Sequence, residues 1–267
     1  MKTEIVTITP EMAQAYLARN TNNRRIRPTA VDRYACDMRA GKWDLTHQGL
    51  AFNCDGTLLD GQHRLAAIVE AGVPVTMMVT TGVSNLAQRN MDSLIIRKPA
   101  DALSLSYGKT VTDRDVAIAK VIFYTVAGKV LKPSNSQVHD LLCALQNSIE
   151  WSACYRAVEG KGIRSAPVWA AICLAYYYEA DLGRLSEFCA TLVGHRMAAG
   201  DSDRAAQLLR ESLISAKISM HNAAQRTDAF LKTQRATHAF CRGESLSKIY
   251  ATKQYYSWLL DRTAVRE

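Results

Sequence analysis

The spacing of apolar residues along this 267-residue chain changes character once, near Gly108-Lys109, and nothing else in the sequence narrows the fold as much. Ahead of that point, short alternating runs mix with short helical ones. A strand is predicted over Glu4–Thr9, then a helix from Pro10 to Arg19, where a first-turn proline lacks only an N–H that would have no helical partner. Thr21–Pro28 reads as a polar loop, and Val31, Tyr34 and Met38 recur at helical spacing within Thr29–Gly41. Leu50–Asn53 and Thr57–Asp60 flank a Cys54-Asp55-Gly56 turn, a hairpin signal. Gln62–Ala71 reads as a helix closed by Gly72, and Val73–Thr80 as a further strand. After Lys109 no strand signal is found. Apolar residues recur every three or four positions through 111–127, 136–158, 166–180, 183–198, 201–217 and 221–241. The expected fold class is therefore α+β: a small α/β domain over 1–108, followed by an all-α helical bundle over 109–267.

Composition narrows the function classes. Apolar residues make up 48% and charged residues 22%, which excludes a disordered or collagen-like chain. The net charge of +8 is uneven: residues 1–108 hold 12 Lys/Arg against 10 Asp/Glu, and the remainder 21 against 15. A basic surplus weighted to the helical half points to a polyanionic partner. The seven cysteines are odd in number and include no Cys-x-x-Cys, the signature of reduced thiols rather than of a disulfide framework. Met1–Thr7 lacks the apolar core of a signal peptide, and no apolar stretch approaches the ~18–20 residues that cross a bilayer. The expectation is a soluble, cytoplasmic protein with no membrane partner.

The densest chemical cluster is Asp60-Gly61-Gln62-His63-Arg64-Leu65, placed where a predicted strand hands over to a predicted helix. The first N–H groups of a helix have no internal acceptor, and the helix dipole puts partial positive charge there. A glycine just ahead lets an anion approach the backbone. Arg64 adds a fixed cation able to bind phosphate bidentately, His63 a donor or proton shuttle, and Asp60 a carboxylate for a metal, a hydroxyl or the orientation of His63. The bland alternative is that Asp60 caps the helix and pairs with Arg64. Cys36, Cys54, His47 and His63 lack the spacing of a zinc site, and no metal site is expected.

The stretch Gly49–Ala71, built round Asp60-Gly61-Gln62-His63-Arg64, resembles the phosphate-binding motif of the ParB/sulfiredoxin superfamily. Within it, the match is to the branch bearing the Asp-Gly-Gln-His-Arg signature, typical of phages and mobile elements. Asn22-Asn23-Arg24, Arg27-Pro28, Met38–Trp43 and Gln48-Gly49 upstream, and Met91-Asp92, Arg97 and Asp101-Ala102-Leu103 downstream, resemble further features of that family. The resemblance implies a ParB/sulfiredoxin-like nucleotide-binding domain over 1–108. It places Gly61, Gln62, His63, Arg64, Asn23, Arg24 and Gln48 on the phosphates of CTP or ATP, with Mg2+ as a companion ion. If the site is enzymatic, Asp60 or His63 would serve as the catalytic base. ParB proteins bind and hydrolyse CTP while loading on DNA, sulfiredoxin uses ATP, a related free-serine kinase phosphorylates a small molecule, and other members are nucleases. The sequence departs from chromosomal ParB, which has Gly-Glu-Arg-Arg in place of Gly61-Gln62-His63-Arg64, and it lacks the reactive cysteine of sulfiredoxin at position 62.

Elsewhere, Arg24, Arg25 and Arg27 form a cationic loop suited to phosphates, or to a plain solvated surface. His47 stands beside Gln48 ahead of the hairpin, and Trp43 reads as a core aromatic. Residues 217–253 hold seven Lys/Arg against Asp228 and Glu244. Among them Lys232, Arg235 and Arg242 fall within about one quadrant of a helix, a spacing that fits a DNA-tracking face or a solvated one. Tyr176-Tyr177-Tyr178 reads as helix-packing surface. The function expected is a ParB-like nucleotide-binding protein that associates with DNA, its helical half serving DNA binding or the assembly of a homodimer. The alternatives are a kinase, NTPase or nuclease using the same site, and a protein-interaction module whose site is vestigial.

Overall fold

The computed structural model describes residues 1–21, 23, 25–84, 99–127, 132–156, 162–215 and 222–256. The chain divides into two compact units, Met1–Lys98 with Leu131–Gln137, and Pro99–Val130 with Val138–Glu267. The division thus falls at Lys98/Pro99, ahead of Gly108. Among the described residues are four strands and eleven α-helices, and all four strands lie in the first unit.

In the first unit the order is β1 (Lys2–Ile8), α1 (Pro10–Leu17), α2 (Pro28–Arg39), β2 (Leu50–Asn53), β3 (Leu58–Asp60), α3 (Gln62–Ala71) and β4 (Val75–Val83). The sheet order is β1-β4-β2-β3, with β1 antiparallel and β2 parallel to β4, and β2–β3 an antiparallel hairpin. Strand β4 alternates: Val75, Met77 and Val79 are buried while Thr76 is exposed, as period-two geometry requires of a sheet covered on one face. Those residues share a core with Ala13 of α1, Val31, Ala35 and Met38 of α2, and Leu65 and Ile68 of α3. Trp43 packs at the edge of that core, 5.2 Å from Tyr34. Thr9 Oγ1 caps α1 by accepting from the Met12 N–H, and α3 closes at Gly72 in the left-handed conformation. The returning segment around Ser134 docks on α2, where Ser134 Oγ donates to Asp37 Oδ1 at 2.6 Å.

The second unit holds α4 (Pro99–Tyr107), α5 (Asp113–Ala127), α6 (Asn135–Ala144, whose first turn belongs with the first unit), α7 (Gln146–Ser152), α8 (Ala166–Tyr178), α9 (Leu182–Val193), α10 (Arg204–Ser215) and α11 (Ala223–Cys241). Helix α8 is apolar all round and buried at every residue from Pro167 to Ala175, the pattern of a helix at the centre of a bundle. Two expectations need correction. Residues 99–107 are a helix of the second unit, because Ala100 and Leu103 bury against Val111, Val116, Val138 and Leu142. The single helix expected over 136–158 breaks at Leu145, where Tyr177 Oη donates to the Ala144 carbonyl at 2.8 Å. No described helix is long and apolar enough to cross a membrane.

Candidate functional site

The β2–β3 hairpin is set by Asn53, whose Oδ1 accepts from the N–H groups of Asp55 at 3.0 Å and Thr57 at 2.7 Å. That turn delivers Asp60 to the end of β3, opposite Ala51. Gly61 follows with φ 104° and ψ 5°, a left-handed conformation that turns the strand directly into α3. A Cβ there would stand 2.4 Å from Leu50 Cδ2, so both the backbone and the space demand glycine. Gly49 is fitted as tightly: its Cβ would lie 1.7 Å from the Met78 carbonyl oxygen of β4.

Arg64 is the hinge of the arrangement. Its Nη1 donates to the Gly49 carbonyl at 3.0 Å and its Nη2 to Gln48 Oε1 at 3.3 Å, while Asp60 Oδ2 lies 3.6 Å from Nη1. The Arg64 side chain is 16% exposed and that of Asp60 54% exposed. Asp60 Oδ1 accepts from the Gly61 N–H at 2.7 Å, and the residue preceding α3 supplies no side-chain cap. A guanidinium held in one place thus stands at the positive end of a helix, on a side chain that keeps 16% of its surface exposed.

The preceding loop is tied to the same turn. Asn20 Nδ2 donates to Gln62 Oε1 at 2.9 Å, and Asn23 Nδ2 donates to Asn20 Oδ1 and the Leu58 carbonyl, each at 2.7 Å. The Arg27 N–H donates to His63 Nε2 at 3.0 Å, so that nitrogen is the acceptor of the neutral ring. The exposed Arg27 is thereby anchored beside the Gly61 turn, with the exposed Arg25 two residues ahead of it.

Of the residues picked out in the sequence, Asp60, Gly61, Gln62, His63, Arg64, Gln48 and Asn23 come together at this turn. Two differ in what they offer. The Gln62 side chain is buried and spent on Asn20, leaving its backbone as the part at the helix start. His63 Nε2 accepts from the backbone and is not poised as a base in this arrangement. Arg24, Met91, Asp92 and Arg97 lie outside the described residues, and Asp101–Leu103 belongs to α4 in the second unit. Asn20 was missed, since nothing in its spacing pairs it with Gln62.

The cationic residues expected to share a face of α11 have contacts within their own unit. Lys232 Nζ lies 2.8 Å from Asp228 Oδ2, and the Arg235 guanidinium stacks over Tyr250. Arg242 falls just past the helix, where Nη1 donates to both oxygens of buried Glu179, at 3.0 and 3.2 Å. Burial and the adjacent Arg242 push the His238 pKa down, in keeping with Nδ1 accepting from Arg242 at 2.7 Å. The side of α11 that a helical wheel shows as cationic is instead largely paired within its own unit.

No protein-family model, curated protein or solved structure matches this chain.

Proposed function

We propose that the first unit is a ParB/sulfiredoxin-like module that binds the phosphates of a nucleoside triphosphate, CTP or ATP, at the Gly61–Arg64 turn, and that the nucleotide controls the protein's association with DNA. The observation that carries the reading is Arg64, held by Gly49 and Gln48 at the start of α3 with its side chain part-buried, beside a loop bearing Arg25 and Arg27. Phosphate oxygens would meet the guanidinium fork and the positive end of the helix together. Asp60 is the one carboxylate on this turn, and no described group of three or more His, Cys, Asp or Glu is suited to hold a metal. A Mg2+ ion fits here as a companion of the phosphates, carried largely by their oxygens and by water, with Asp60 as its protein ligand. The DNA part of the reading is supported by the net charge of +8.

The engagement of His63 Nε2 by the Arg27 N–H favours binding over phosphoryl transfer. Titration of the purified chain with CTP and ATP in the presence of Mg2+, with turnover read in parallel, tests the proposal. Arg64→Ala should weaken nucleotide binding roughly 10- to 150-fold, the value of hydrogen bonds to a charged group of about 1.5–3 kcal/mol. Arg64→Lys should recover part of the affinity, keeping the charge but not the fork. Equal affinity in Arg64→Ala and wild type would remove Arg64 as a phosphate ligand. Turnover that collapses in His63→Ala while binding persists would establish an enzyme instead.

A further inference from the structure

Residues 244–256 follow α11 without helix or strand, yet their far end is firmly held. Gln234, fully buried on α11, donates through Nε2 to the Tyr256 carbonyl at 2.8 Å, and its Oε1 accepts from the N–H groups of Tyr255 and Tyr256 at 2.8 and 3.1 Å. Tyr256 is 2% exposed and donates from Oη to Glu179 Oε1 at 2.7 Å. This clamp presents the rest of the segment on the surface of the unit. Tyr250 is 54% exposed, with the Arg235 guanidinium 3.7 Å from its ring centroid. Arg235 Nη1 is buried without a hydrogen-bond partner, so the ring is its principal contact. Lys248 and Lys253 are exposed and form no ion pair with a carboxylate among the described residues, Lys253 Nζ lying 5.5 Å from the centroid of the Tyr255 ring.

We propose that Lys248–Tyr255, braced on α11, is a docking surface for single-stranded DNA, with Tyr250 stacking one base and Lys248 and Lys253 contacting the flanking phosphates. An aromatic ring backed by an arginine and bordered by exposed lysines combines the π-face and the positive charge by which proteins hold unpaired strands. In a duplex both faces of each base are covered by its neighbours, so such a ring is of use only to an unstacked strand. The surface uses Arg235 as the support of a ring, not as the phosphate ligand that helical spacing alone suggests. The inference rests on the DNA association proposed above and gives it a strand form and a location.

Fluorescence anisotropy with the full chain, using labelled oligo-dT and the matching dT·dA duplex over a range of salt, tests it. Wild type should prefer oligo-dT. Tyr250→Ala should weaken that binding roughly 5- to 150-fold, the range for one lost base stack, and Tyr250→Phe should restore it. Lys248→Gln with Lys253→Gln should lower the log–log salt slope by about 1.4, two single-strand phosphate contacts. Duplex binding without oligo-dT binding overturns this surface and leaves the DNA association standing; no binding of either overturns both. Unchanged oligo-dT affinity in Tyr250→Ala likewise overturns the proposal.

Discussion

Single side chains show how charge is handled inside each unit. Asp115 and Arg156 form a buried pair, Nη1 to Oδ1 at 2.6 Å, with Thr112 donating both its N–H and its hydroxyl to Asp115 Oδ2. Burial alone would raise the Asp115 pKa, but the bonds from Arg156 and Thr112 outweigh it and hold the pKa below the usual 3.8. A carboxylate whose folded pKa is depressed contributes stability that is complete above its unfolded value and lost as pH falls through the folded one. Asp115→Asn should therefore destabilise the second unit by ~3–5 kcal/mol at neutral pH, because it leaves the Arg156 charge buried and uncompensated. Denaturant melts of both proteins should show that gap narrowing below about pH 4, as the wild-type carboxylate itself becomes protonated. A gap that stays constant down to acid pH would show that Asp115 acts through packing and not through its charge.

At the level of elements, α11 serves as the spine of its surroundings. Its buried face carries Phe230, Gln234, Ala236 and Phe240, and Phe240 packs edge-on against Phe188 of α9, 5.4 Å between centroids. Thr233 and Thr237 on that face bond back to carbonyls of the helix itself, whereas Gln234 bonds three backbone groups of Tyr255 and Tyr256. Gln234→Ala would remove the acceptor of the Tyr255 and Tyr256 N–H groups, at a cost of about 1–3 kcal/mol for each group left unsatisfied, while the Tyr256 carbonyl keeps Gln254 Nε2 at 2.8 Å. The local response expected is opening of the segment after α11. Hydrogen exchange should become faster at the Tyr255 and Tyr256 amides, while α8 keeps its protection. Unchanged exchange at those two amides would show that Glu179 and Tyr256 hold the segment without Gln234.

For the whole molecule, two units that bury separate cores imply two separate responses to ligand. The first unit buries Leu50, Phe52, Leu65 and Ile68 around its sheet, and the second buries Trp169, Phe188 and Phe240 around α8. A nucleotide that binds only the folded first unit at a hundred times its Kd adds ~2.7 kcal/mol to that unit's stability. Hydrogen exchange with and without nucleotide should show the added protection in β2, β3 and α3, with no change through α8. Equal gains in both units would mean that ligand and folding are coupled across the entire chain.

The sequence by itself determined what depends on near neighbours along the chain. The Asp55-Gly56 hairpin, the strand-to-helix turn at Gly61, the closure of α3 at Gly72 and the helical periods of α5 and α8–α11 are constraints that a few adjacent residues impose on the backbone, so they were legible from residue type and spacing. The cluster at Asp60–Arg64 was legible for the same reason. Only the tertiary structure decided which polar groups remain available. Gln62 is taken by Asn20, His63 Nε2 by the Arg27 backbone, and Arg242 by Glu179, each partner lying far away in sequence. It likewise assigned residues 99–107 to the helical unit and set Tyr250 over Arg235. A helical wheel gives the direction in which a side chain leaves its own helix; what it meets there is set by the packing of remote segments, and that contact decides whether a charge is spent within the fold or presented to a partner.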